Sequence, residues 1–414
     1  MSDLNTDFCV IGAGPAGLTL ALLLLRSGAR VTVVERTRAM DREYRGEILQ
    51  PGGMALLGDL GVLGPARERG CYEHPRFQLV DRGRTVLDID YRRLPGPHNM
   101  LLSIPQRHVL EELLLRCADF ESFSYLESTR ITELVRDGGR VRGAVVTGPA
   151  GRTTIEAHCV VGADGRYSKT RKLAGIENRR IDAFAYDVLW FKVPRAEPTD
   201  RVQISSHDGN PVLVYDSYPG RVQLGWTLPH RGYPAVAASG IEKIKAEICR
   251  AVPAYADAID EAVTSLSDLT LLDVFGARAE KWADDGLLLI GDSAHAHSPV
   301  GAQGINLAIQ DAALAHPVLL ESLRAGDASA ERLSAFPRRR GRDITVAMRI
   351  QLVQSKAMLS RSRIAAAVRP RAARVLARTP FFDMALRRIA YGASPVAIRD
   401  DLLQPRSPVD QREA

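Results

Sequence analysis

Asp7-Phe8-Cys9-Val10-Ile11-Gly12-Ala13-Gly14-Pro15-Ala16-Gly17 reads as a short buried strand that runs into a glycine turn and then a helix. Residues 8–11 are apolar, as in a strand covered on both faces, and residues 15–27 form an apolar helical run. A second strand at 31–34 ends on Glu35. In this unit Gly12 allows the tight turn, Gly14 lets the backbone approach a pyrophosphate, and Gly17 lets the helix pack closely on the strand. The helix start, with Ala13, Pro15 and Ala16 around it, offers N–H groups and partial positive charge to phosphates. Glu35 can accept hydrogen bonds from a ribose. Glycine spacing alone is weak, but strand, helix, strand and acid in this order point to dinucleotide binding.

A chain of 414 residues is long for one core and suits intertwined domains or a large α/β unit. Lys and Arg number 55 against 49 acids, a net charge of +6 that is mild for this length. The excess gathers late, in Arg338-Arg339-Arg340 and between residues 361 and 388, and reads first as a solvated Arg-rich helical surface. Attraction of an anionic cofactor such as NADPH, or of a membrane or partner surface, is the sharper reading. No aromatic-basic interleaving suggests nucleic-acid binding. Five dispersed cysteines show no metal-ligand spacing, so a reducing cytoplasm and no bound metal are expected. The first strand starts almost at the N-terminus, which argues against a signal peptide. The apolar run at 18–25 is too short to span a bilayer.

Further along, the sequence predicts a helix over 54–60, a hairpin over 76–91, and a helix over 106–117 after Pro105. Strand-like runs follow at 133–136, 141–146 and 153–157. Cys159-Val160-Val161-Gly162-Ala163-Asp164-Gly165 is again a buried strand ending in a turn with two glycines and an acid. Residues 185–228 are strongly β-like, with helices expected at 241–250 and 254–262. A third buried strand at 286–290 ends in Gly291-Asp292, and a long helix runs from about Ile305 to Leu323. The tail beyond Asp343 reads as helical, broken by Pro370, Pro380 and Pro395. Two β-rich insertions in a βα layer make this an α/β protein: a Rossmann-like nucleotide domain with a sheet-based domain interleaved, then a helical tail. The expected division is nucleotide-binding at 1–74, 106–180 and 276–343, substrate sheet at 75–105 and 181–275, and tail at 344–414.

The third turn is the longest: Gly291-Asp292-Ser293-Ala294-His295-Ala296-His297-Ser298-Pro299-Val300-Gly301-Ala302-Gln303-Gly304-Ile305-Asn306. With the three turns in this order, residues 5–320 resemble the flavin-dependent aromatic hydroxylases typified by para-hydroxybenzoate hydroxylase. The resemblance implies tightly held FAD, reduced nicotinamide (NADH or NADPH) as co-substrate, O2, and hydroxylation of an aromatic or polyketide-like small molecule through a flavin hydroperoxide. It implies that Gly12, Gly14 and Gly17 with Glu35 and Arg36 hold the ADP half, and that Arg45 and Gln106 contact the flavin side. Asp164-Gly165 resembles the family pair linked to FAD and nicotinamide. Asp292 would bind the ribityl chain, and the stretch from Pro299 through Gly301, Gly304 and Ile305 to Asn306 would wrap the flavin ring. A helix starting at Ile305 would point its positive end at the ring region that gains negative charge on reduction.

His295 and His297 invite a catalytic role, but the resemblance implies that a His at the place of His295 serves the turn more than the chemistry, and Asp311 reads as structural. HxH without a further ligand cluster is no metal site. The substrate pocket is expected between the FAD turns and the β-rich insertion, with Trp190, His207, Tyr215, Tyr218 and Trp226 as candidates by position. Any one of them also reads as an ordinary sheet aromatic, and no catalytic base is singled out. The same fold carries halogenases and prenyl reductases. Leu224-Gly225-Trp226-Thr227-Leu228-Pro229 lacks the first Trp of the halogenase WxWxIP signature and only partly matches the reductase YxWxFP. A flavin-binding protein without turnover is the third reading. The basic tail allows pocket cover, homodimerisation or membrane contact.

Overall fold

In the computed structural model the described residues are 3–38, 47–182, 184, 186–208, 210–359 and 379–404. Arg45 and most of the arginine-rich tail lie outside them. The opening strand, Asp3–Ile11, sits at the middle of a parallel layer. In spatial order the layer runs Phe123–Leu126, Val31–Val34, Asp3–Ile11, Gly151–Gly162 and Leu287–Leu289. The helix Pro15–Arg26 crosses between its first two strands, and every residue from Ala16 to Leu25 is buried. That explains why the helix is apolar all round: the sheet covers one side and the long helix Gly304–Arg324 packs on the other.

Gly151–Gly162 is one twelve-residue strand, not the two runs the sequence suggested. It pairs in parallel with Asp3–Ile11 and also antiparallel with Arg140–Gly148, so both halves are held by backbone bonds across His158.

The β-rich segments combine into a second, seven-stranded sheet. Its order is Thr270–Leu272, Tyr186–Pro194, Arg221–Pro229, Val212–Ser217, Arg201–Ser206, Arg76–Asp81, Arg84–Asp90. Strand alternation gives this sheet two apolar faces. Leu189, Phe191, Val193 and Trp226 pack against Ile244, Ile248 and Ile259 of the helices Ile241–Ala251 and Ala256–Ala262. Val188, Trp190 and Tyr215 face the opposite way, with Tyr91, Tyr186 and Leu386.

One reading of the tail is corrected. Arg340 does not belong to a solvated basic surface: it is fully buried, because helical periodicity turns it inward onto Gly304–Arg324, where Asp311 receives it. The helix carrying it, Ala335–Leu359, runs straight through residue 343. Pro380 starts a helix, Pro380–Tyr391; proline suits a first turn because its missing N–H has no partner there anyway.

Candidate active site

The four parallel strands ending at Ile11, Val34, Gly162 and Leu289 deliver Gly12, Glu35, Asp164 and Asp292 to one edge of the sheet. Ligands bind at that carboxyl-end crevice in open α/β sheets. Gly12 has φ +109°, and a Cβ there would lie 2.5 Å from the Ala163 carbonyl oxygen. A Cβ on Gly17 would come within 1.9 Å of the Gly12 carbonyl oxygen. Gly14 differs: no atom lies within 4 Å of the place its Cβ would occupy, and no side chain caps the helix it precedes. An uncapped helix start beneath open space suits an anion.

Glu35 is buried, and one carboxylate oxygen accepts from the Ala13 N–H at 2.9 Å. The other accepts from the Thr37 N–H at 3.0 Å and hydroxyl at 2.7 Å. Its first task is thus to hold the phosphate turn against the second strand. Arg36 beside it is exposed, and Gln106 is half-buried at the start of the helix Gln106–Ala118.

The second and third turns are tied together. Asp164 accepts from the hydroxyls of Ser168 (2.5 Å) and Ser293 (3.2 Å), and from the Thr170 N–H (2.9 Å) and hydroxyl (3.0 Å). The Ser293 hydroxyl accepts in turn from the Gly165 N–H at 3.0 Å. Asp292 faces Arg166 at 3.5 Å; burial pushes its carboxyl up, against the pull of that guanidinium.

Beyond the third turn, Asn306 uses its side chain as a brace. Its Oδ1 accepts from the Gln50 N–H at 2.9 Å, and its Nδ2 donates to the Ala302 carbonyl at 2.8 Å. Gln50 donates its amide to the Gly301 carbonyl at 2.9 Å, leaving a buried Oε1 with no partner among the described residues. Gly304 has open space at its Cβ position, and Ile305 packs partly buried on the main core.

Pro299, Val300, Gly301 and Ala302 form one wall of an apolar cavity. The sheet face carrying Val188, Trp190, Leu213 and Thr227 forms another wall, and Leu386 and Ile389 of the tail helix close it. Gly225 makes room here, since a Cβ would lie 2.6 Å from the Trp190 ring. The tail helix is pinned by bonds from Gln303 to the Ile389 carbonyl (2.8 Å) and from Gln310 to the Tyr391 carbonyl (3.1 Å). Covering the pocket is therefore a role the tail performs.

Of the five aromatic candidates, Trp190 lines the cavity, and Tyr215 is buried in the core beside it. His207 is exposed. Trp226 points to the helix-covered face, one residue out of phase with the pocket. Tyr218 packs against Tyr72 and His108. Sequence reasoning missed Tyr186, which shares the phase of Trp190 and was legible from alternation. It also missed Leu386 and Ile389, for which no local signal existed.

All four ring nitrogens of His295 and His297 are engaged by protein. His295 meets Asp311 at 2.7 Å and His297 at 3.0 Å, and His297 meets Gln351 at 3.2 Å. Burial, reinforced by His295, pushes His297 down to about 3. Burial alone would raise Asp311, but His295 and Arg340 hold it at about 2.

Another buried histidine, His316, is pushed down to about 4, mainly by burial. Both histidines bind protons more readily unfolded, near 6.5, than folded, so their contribution is fully present above that pH and is lost as pH falls towards the folded values. Each adds a slope of about 1.4 kcal/mol per pH unit between those limits. Thermal unfolding is expected to drop steeply from pH 6.5 to 4.5, with His316→Gln flattening the profile. An unfolding temperature that stays level across that range would contradict this.

A Rossmann-type sheet with an open phosphate turn, a second sheet and an apolar pocket at their junction define the architecture of a dinucleotide-dependent enzyme. The "FAD binding domain" family model matches residues 5–350, and the chain belongs to this family of FAD-dependent aromatic monooxygenases. It is 57% identical over 404 residues to a 6-methylpretetramide 4-monooxygenase of Streptomyces rimosus, covering 98% of this chain and 96% of the relative. It is 28% identical to a 12-dehydrotetracycline 5-monooxygenase/anhydrotetracycline 6-monooxygenase of the same species, over 74% of this chain and 61% of that longer protein. Among solved structures, p-nitrophenol 4-monooxygenase PnpA of Pseudomonas putida superposes with a TM-score of 0.78 at 19% identity, over 95% of this chain and all of that one. The protein is an FAD monooxygenase that uses NAD(P)H and O2 on a small aromatic or polyketide-like substrate. Among the described residues no helix is long and apolar enough to cross a membrane.

Proposed function

We propose that the substrate is a linear, multi-ring aromatic polyketide of the 6-methylpretetramide kind, hydroxylated on a ring carbon that faces the loop 299–302. The observation that carries this reading is the cavity itself: apolar on the sheet side, backbone-lined on the loop side and closed by Leu386 and Ile389. The near-full-length relative acting on 6-methylpretetramide supports it. FAD fits the crevice because space above Gly14 is open and a buried acceptor, Gln50 Oε1, lacks a partner.

In this reading Gly12, Gly14, Gly17, Glu35 and Arg36 hold the ADP half. Asp164, Gly165 and Asp292 serve the middle of the cofactor, and Gln106 with the stretch from Pro299 to Asn306 serves the ring. Bound FAD, once reduced, supplies activated oxygen. The chain holds the substrate flat against Trp190 and Gly225 and excludes water with the tail helix, and a dry pocket favours oxygen transfer over loss of peroxide. The residue division stated from sequence, a cytoplasmic setting and homodimerisation belong to the same reading; the five free cysteines support the second.

Purified FAD-loaded protein incubated with NADPH or NADH, O2 and 6-methylpretetramide is expected to yield a product heavier by one oxygen. Reduced-nicotinamide oxidation should be stimulated by that substrate. Failure of the substrate either to stimulate oxidation or to gain oxygen would overturn the proposal. A halide requirement or a hydrogenated product would favour the halogenase or reductase alternatives.

A further inference from the structure

We infer that His295 is held as a buried imidazolium, and that neutral His297 and Gln351 pass its position on to the backbone of the loop at 298–300. The protonation states follow from who can donate. Gln351 Nε2 lies 3.0 Å from both the Ser298 and the Val300 carbonyl oxygens, so its two hydrogens are spent and the amide orientation is fixed. Gln351 Oε1 must then accept, which puts a hydrogen on His297 Nδ1 at 3.2 Å. One hydrogen fits in the 3.0 Å contact between His295 Nδ1 and His297 Nε2, and the buried Asp311 carboxylate lies against His295 and not against His297, so the charge sits on His295 and His297 Nε2 accepts.

On the far side of the ring, Asp311 already receives the Gly291 N–H at 2.8 Å on Oδ2 and the Arg340 Nε–H at 2.7 Å on Oδ1. Paired with a guanidinium, it stays ionised, and the His295 Nε2 contact of 2.7 Å on Oδ2 is a third donor. Both nitrogens of His295 therefore carry hydrogen. Its ring also meets the Trp282 indole, centroids 4.8 Å apart.

The groups facing this charge are Asp311, Arg340, Asp292 and His297, with Asp343 3.8 Å from Arg340. Arg340 and His295 share the fully buried Asp311, and Asp343 also faces Arg340, so His295 brings its charge to the space between the Gly291-Asp292 turn and the loop. His295 is thus a positioning residue, and its charge favours a cofactor that gains negative charge on reduction. That last step rests on the assignment of loop 299–306 to FAD.

Holoenzyme labelled with 15N-histidine tests the first half without turnover. Of nine histidines, His295 is expected to show two protonated ring nitrogens at neutral pH, and His297 a protonated Nδ1 with a bare Nε2. His295→Gln and His297→Gln assign the signals; if the first does not fold, the second and single variants of the other histidines assign His295 by elimination. A bare nitrogen on His295 overturns the inference whatever the substrate proves to be.

For the second half, His295→Gln is expected to make the flavin midpoint potential more negative with the KM for aromatic substrate unchanged. Gln351→Leu should weaken FAD binding several-fold and alter the flavin absorption envelope. An unmoved potential in the first variant, or unmoved binding and spectrum in the second, would remove the loop-positioning role.

Discussion

Gly17→Ala is expected to give a folded protein that purifies without bound flavin. A methyl group at residue 17 would lie 1.9 Å from the Gly12 carbonyl oxygen, and that atom is backbone in the turn itself. The helix Pro15–Arg26 cannot retreat, because it is buried between the sheet and the helix Gly304–Arg324. The turn must therefore deform. Overpacking of this kind costs roughly 1–3 kcal/mol, and concentrated on a binding turn it becomes about a 100-fold loss of FAD affinity. Gly14→Ala separates the steric effect on fold from that on ligand. Its methyl group meets nothing in the protein, so stability should equal that of the parent while FAD titration shows weakened binding. If Gly17→Ala bound FAD as tightly as the parent, the phosphate-turn assignment would be wrong.

The second large effect is on stability. Asp311 is fully buried and is the sole carboxylate in contact with both Arg340 and His295 among the described residues. Asp311→Asn leaves Arg340 and His295 inside without the carboxylate they share. Removing one partner of a buried ion pair costs about 3–5 kcal/mol, mostly because the survivor stays desolvated. Urea unfolding at saturating FAD should show a loss of that size, and Asp311→Asn with Arg340→Met should recover part of it. A loss below about 1 kcal/mol would mean that the network relaxes or takes in water.

The three glycine-acid turns were legible because each is local: a buried strand, a residue that tolerates unusual backbone, and an acid within a few positions. The long helix after residue 303 was readable from its apolar run. Arg340 was not, since three consecutive arginines look like a solvated surface and only packing selects the one that turns inward. Trp226 misled for a related reason. A two-residue period separates the faces of a strand, but both faces of this sheet are apolar, so composition could not say which one meets the cavity.

By itself the sequence determined the three glycine turns and the class of chemistry, because glycine turns at strand ends act through backbone conformation that nearest neighbours dictate. Tertiary structure decided the rest. It tied Asp164 to Ser293 across 129 positions, brought Leu386 and Ile389 over a pocket built by residues 48–302, and set Arg340 and His295 on one buried carboxylate. Those contacts join segments far apart in the chain, and which side chains they unite depends on packing that no local pattern encodes.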